Sequence, residues 1–312
     1  VSICMSILFT FPGQGAQRPG MLHTLPDHAE VARTLDETSA ALGSDPLLLD
    51  TPQALMSTYA VQLCLLIAGV AMARVLIARQ SGPDMVAGLS IGAYPAAVIA
   101  GALEYGDAVR LVQRRAHLME DAYPQGYGMA AIHGLDEARI VPLLARIHHA
   151  DSPVYLANLN APRQMVISGA DDALQRTMQL ALASGATRAE RLTVAVPSHC
   201  ALFDSQAQQM RSAFSGCVLA RPRLTYLSAS AARPLFDQAR IADDLASNMA
   251  RQVHWHDTAQ LAWERGARLA LEMPSGSVLS GLCATVFDGG LAIACDSNHL
   301  DTLCALIARE RR

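Results

Sequence analysis

The sequence of 312 residues contains no lysine; all 24 of its basic residues are arginine. That absence excludes a Schiff-base lysine, a Ser-Lys dyad and a lysine-bearing P-loop. Charge of either sign is also scarce, at 17% of residues against about 25% in ordinary soluble domains. With 51% hydrophobic residues, much of the chain belongs to an interior. The formal net charge of -4 gives no electrostatic reason to expect nucleic acid as a partner. The seven cysteines (Cys4, Cys64, Cys200, Cys217, Cys283, Cys295 and Cys304) are scattered and show no CxxC spacing. They read as reduced thiols of a cytoplasmic protein.

The sequence has no internal repeat and no low-complexity segment. Its apolar start, "VSICMSILFTFPGQG", lacks a positively charged region and runs directly into a Pro/Gly turn. A first strand is expected there rather than a signal peptide. The longest apolar run, Tyr59 to Ile77, is interrupted by Gln62 and Arg74, which predicts a buried helix and no membrane span.

The pattern along the chain is of strands alternating with helices. "SILFTF" and "DMVAGLS" are β-type runs, and "AYPAAVIAGALEYGDAVRLVQRRAHLMEDA" has helical periodicity with a break near Gly101 to Gly106. Between Gly128 and Val196 the elements shorten. "GMAAI", "DEARIVPLLARI", "PVYLANL", "QMVISGA", "DALQRTMQLALASG" and "TRAERLTVAV" follow the order βαββαβ of a ferredoxin-like unit. A small domain over 128–196 is therefore expected, inserted into a large one built from 1–127 and 197–312. Strands in "LTYLSAS", "ARLALEM" and "GGLAIACD" complete the large part.

Residues Gly88 to Gly92 fit GxSxG, with Ser90 at its centre. A strand before and a helix after are the context in which this pattern exposes a serine hydroxyl on a sharp turn. A nucleophilic serine needs a base, and histidine has the suitable pKa. Two candidates stand out among ten histidines. His199, in "VAVPSHCAL", follows a strand and a proline; His299, in "DSNHL", fits the order Ser, acid, His of serine hydrolases. His254 and His256, in "VHWH", are spaced to share a strand face, but no third metal ligand accompanies them. In "FPGQGAQRPG", Arg18 replaces the third glycine of a dinucleotide fingerprint. Such a turn can instead offer the Gln14 amide to an oxyanion. Arg115 and Met119, four apart, share a helix face, where an arginine is placed to grip a carboxylate.

Together "FPGQGAQ", "GLSIGAYPAAVIAGAL", "LVQRRAHLM", "LNAPRQMVISG", "VPSHCALF", "QVHW" and "LEMPSGSVLSGL" resemble the malonyl-CoA:acyl carrier protein transacylase family. The resemblance implies an α/β-hydrolase-like core, with a mainly parallel sheet and the inserted ferredoxin-like domain. It makes Ser90 the acylated nucleophile and His199 its base. It gives Arg115 the malonyl carboxylate, with Met119 lining the pocket and Asn160 facing it. Gln14 and the Ile91 N–H would form the oxyanion hole, and the main-chain carbonyl of His254 would orient His199. Malonyl-CoA is then substrate and CoA product, with no permanently bound cofactor or metal, and an acyl carrier protein is the partner. Leu89 and Ala93 stand where the fatty-acid branch usually has His and Glu. In this the elbow looks closer to the epsilon subunit of malonate decarboxylase, which predicts that enzyme's carrier and other subunits as partners. The competing readings are a malonyl-CoA:acyl carrier protein transacylase of fatty acid or polyketide synthesis and, from another class, a serine esterase or thioesterase using His299.

Overall fold

The computed structural model describes residues 6–312, and Cys4 lies outside the described residues. Its main sheet contains six strands: β1 (Ser6–Phe11), β2 (Met85–Gly88), β7 (Thr225–Ser228), β8 (Arg233–Leu235), β9 (Ala267–Glu272) and β10 (Leu291–Ala294). Their order is β10-β9-β1-β2-β7-β8, parallel except where β8 returns against β7. The short strand β8 escapes a reading by periodicity, because three residues containing a proline carry no alternation.

The parallel strands are apolar on both faces because helices cover both. In β1, Ile7, Phe9 and Phe11 enter one core cluster, while Leu8 enters a second on the opposite side. The helix Thr58–Ala78 packs in the first cluster, with 17 of its 21 residues buried. Ser57 caps its start by accepting the Tyr59 N–H at 3.1 Å. By length and composition this helix could cross a membrane, but its apolar stretch is 89% buried inside the protein. Each fully buried leucine or isoleucine in it contributes roughly 1.5–3 kcal/mol. The expected break after the elbow also appears, between the helices Ala93–Ile99 and Tyr105–Ala122.

The second sheet comes from the chain between β2 and β7. Its strands are β3 (Tyr127–His133), β4 (Val154–Ala161), β5 (Gln164–Ala170) and β6 (Arg188–Arg191). They are antiparallel in the order β4-β5-β3-β6. With the helices Glu137–Ile147 and Asp171–Ala183 this is the βαββαβ pattern. One face packs on those two helices through Ala130, Ile132 and Ile167. Met129, Ala157 and Val166 on the other face join the main core. The last strand ends at Arg191, earlier than its β-type sequence predicts. Val194 and Val196 leave the sheet and pack into the main core.

The six described cysteines outside residues 1–5 are unpaired, four of them buried.

Candidate active site

The turn after β2 is built by two close backbone approaches. A Cβ on Gly88 would lie 2.0 Å from the Gly92 carbonyl, and one on Gly92 would lie 2.1 Å from the Phe11 oxygen. Neither position has room for a side chain. The Leu89 N–H donates to the Phe11 carbonyl at 3.0 Å, tying the turn to the end of β1. Between the glycines, Ser90 adopts the left-handed conformation (φ 57°), which costs about 1–3 kcal/mol for a residue with a Cβ. Ser90 opens the short 3-10 turn Ser90–Gly92. There, as at any helix start, early N–H groups such as that of Ile91 have no acceptor within the helix.

His199 is 3% exposed and also left-handed (φ 66°). Its Nδ1 faces two main-chain carbonyls, Asn248 at 2.8 Å and Arg251 at 3.1 Å. Both are acceptors, so neutral His199 carries its proton on Nδ1 and leaves Nε2 as a lone pair. Burial, and then the nearby Arg115 charge, push the imidazole down to about 4, so it is neutral at pH 7. His254 does not orient this ring. Its carbonyl accepts instead from the Thr258 N–H and hydroxyl, because His254 precedes the first turn of the helix Trp255–Glu264.

Arg115 is fully buried without a carboxylate partner among the described residues. Nη1 donates to Gln62 Oε1 at 2.7 Å. Nη2 donates to Ser90 Oγ and to Asn248 Oδ1, each at 3.2 Å. Burial lowers its pKa to about 10, which leaves it cationic at neutral pH. Gln62 also donates from Nε2 to Gln14 Oε1 at 3.3 Å. That bond turns the Gln14 amide so that its NH2 group remains available to another acceptor.

Ser90, His199 and Gln14 line one cavity of about 380 Å³ beneath the open face of the second sheet. Asn158 and Asn160 on β4 line it too, and the side-chain oxygen of each has no hydrogen-bond partner among the described residues. Arg115 and Ile91 stand behind that lining, Arg115 meeting it at Ser90 Oγ, and Met119 is not among the lining residues either. It is fully buried behind Gln62, whose Nε2 lies 3.5 Å from Met119 Sδ. His299 is exposed, precedes the helix Leu300–Glu310 and lies outside the cavity. His254 and His256 belong to no group of three or more metal-ligating side chains among the described residues.

Sequence reasoning missed Asn248, Gln62 and Asn158. Gln62 left one signal, a buried amide inside an otherwise apolar helix. Asn158 shares the face of Asn160 by strand alternation. Nothing in the composition around Asn248 marks it.

The acyl transferase domain family model matches residues 8–289. The malonyl CoA-acyl carrier protein transacylase of Salmonella typhimurium is 36% identical over 289 residues, covering 90% of this chain and 92% of that protein. The enzyme of that name from Bacillus subtilis is 33% identical over 287 residues, covering 90% of each. The solved malonyl CoA-acyl carrier protein transacylase of Coxiella burnetii superposes with a TM-score of 0.92 at 31% identity, covering 99% of both chains. A malonyl-transacylase solved in complex with a type II PKS acyl-carrier protein superposes with a TM-score of 0.90 at 32% identity, covering 97% of this chain and 99% of that one. The protein belongs to the acyl transferase domain family and is an acyltransferase.

Proposed function

We propose that the protein moves malonyl from malonyl-CoA to the prosthetic-group thiol of an acyl carrier protein of fatty acid or polyketide synthesis. The observation that carries this reading is the buried, carboxylate-free Arg115 beside Ser90 Oγ. A guanidinium fits a distal carboxylate by paired hydrogen bonds that an acetyl group cannot make. The names of the relatives agree with that chemistry.

In the first half-reaction Ser90 Oγ attacks the thioester carbonyl while His199 Nε2 takes its proton. The Gln14 amide and the Ile91 N–H receive the negative charge of the tetrahedral intermediate. Collapse breaks the C–S bond, and CoA leaves as the thiol with the proton held by His199. In the second half the carrier thiol gives its proton to His199 and attacks the acyl-serine carbonyl. Ser90 leaves and recovers the proton. Asn160 offers its unpartnered oxygen to N–H groups of the incoming arm.

Malonate decarboxylase draws less support. Leu89 and Ala93, which point to it, sit at the elbow: Leu89 is half-buried in the cavity lining, over Gly13, where a Cβ would lie 2.7 Å from Leu89 Cδ2, and Ala93 is 5% exposed. Leu89 so placed faces the acyl cavity and Ala93 shapes the elbow, and neither position by itself names a carrier. The esterase reading loses its base, since His299 is outside the cavity. Malonyl-CoA offered with a fatty-acid-synthesis carrier, and separately with a malonate-decarboxylase carrier, tests the assignment. Faster transfer to the first is expected. Faster transfer to the second, or hydrolysis that outpaces both, would overturn it.

A further inference from the structure

Asn248 touches all three groups on which the reaction rests. Its main-chain carbonyl accepts the His199 Nδ1 proton at 2.8 Å. Its side-chain Nδ2 donates to the Ser90 carbonyl at 3.1 Å. Its Oδ1 accepts from Arg115 Nη2 at 3.2 Å. We propose that Asn248 is a positioning residue that sets malonyl preference, because it holds Arg115 with a neutral oxygen and so aims the guanidinium without neutralising it. This inference rests on the malonyl-transfer reading above.

The chemistry of the surrounding acceptors supports it. Gln62 Oε1 and Asn248 Oδ1, both amide oxygens, accept hydrogen bonds from the two ends of the guanidinium, and Ser90 Oγ accepts another. Nε has no partner. A carboxylate at either amide position would form a charge-assisted pair and occupy the cation before substrate arrives. The carboxylate nearest in sequence is kept away from this task. Asp244, one turn upstream of Asn248, is buried and accepts instead from Tyr226 and Ser228 at 2.8 and 2.7 Å, and from Ser230. The segment carrying Asn248 is fixed independently, since Tyr94 OH donates to the Leu245 carbonyl at 3.0 Å. Asn248 is 5% exposed, so its amide is largely shielded from solvent beside the guanidinium.

The test uses near-isosteric charge. Acylation of the full-length protein is followed with malonyl-CoA and with acetyl-CoA for the wild type and for Asn248→Asp and Gln62→Glu. Asn248→Asp should lower the malonyl-to-acetyl ratio of kcat/KM by about 10- to 100-fold, the range of a hydrogen bond to a charged group. The loss should appear chiefly in the malonyl KM, because the new carboxylate competes before and during the chemical step. Weakening of the Ser90 bond slows both acyl groups alike and cancels from the ratio. Gln62→Glu places the same charge at Nη1, away from His199, and should shift the ratio in the same direction. It keeps the question decidable should Asn248→Asp fail to fold. A ratio within about threefold of wild type in the folded variants would overturn the inference while leaving malonyl transfer intact. Absence of malonyl labelling in the wild type would overturn both.

Discussion

Arg115 Nη2 lies 3.2 Å from Ser90 Oγ, so the site's one buried cation touches the hydroxyl at the centre of the elbow. A ligand that carries both a thioester carbonyl and a carboxylate two bonds away can meet both groups at once. Arg115→Ala should therefore reduce kcat/KM for malonyl-CoA by about 100-fold or more, the value of a bidentate charged contact, and acetyl-CoA far less. Parallel acylation assays with the two thioesters check this. Equal losses would contradict the assigned role.

The proton balance of His199 gives a second expectation. Its folded pKa of about 4 lies below the unfolded value of about 6.5, so the unfolded chain binds more protons between those values. The stability it contributes is present above about pH 6.5 and is lost as pH falls through 4, on the order of 3 kcal/mol. Denaturant titrations of the wild type and His199→Gln across this range should diverge in that window. Arg115 helps to depress the imidazole, so a bound malonyl carboxylate should raise it. The acidic limb of kcat should then lie at higher pH than that of kcat/KM.

Side-chain replacement among the histidines separates the base from its rivals. His199→Ala should cost about 10²- to 10⁴-fold in acylation rate, the range of general base catalysis. His299→Ala, outside the cavity, and His254→Ala, whose carbonyl caps a helix, should stay within about twofold. Stopped-flow measurement of CoA release from malonyl-CoA reads all three.

The elbow itself has a steric signature. Gly92→Ala forces a methyl against the Phe11 carbonyl and should destabilise the fold by more than about 3 kcal/mol. Gly281→Ala, on the exposed face of the helix Val278–Ala284, where a Cβ meets nothing within 4 Å, is the control and should stabilise by about 0.5–1 kcal/mol. Thermal unfolding of the two variants compares them.

Much of this architecture was legible in the sequence because it rests on patterns that side chains carry. The βαββαβ order follows from short β-type runs separated by amphipathic helices, and the elbow follows from two glycines that nothing larger can replace. The orienter of His199 was not legible. A main-chain carbonyl has no residue signature, and a 3-10 turn of three residues at Asn248–Ala250 determines which carbonyl arrives. The expectation placed on His254 failed for that reason. Met119 was placed on the correct helix face but one layer too shallow, since Gln62 stands between it and the cavity. The choice of carrier rests on Leu89, which lines the cavity, and Ala93, which is packed at the elbow, and neither contact carries information about a carrier.

The central claim is that Ser90 accepts malonyl. Intact-protein and peptide mass spectrometry after brief exposure to malonyl-CoA tests it most directly. The account predicts one malonyl group on Ser90, absent in Ser90→Ala and discharged on addition of a carrier thiol. A malonyl adduct of equal yield in Ser90→Ala would contradict it.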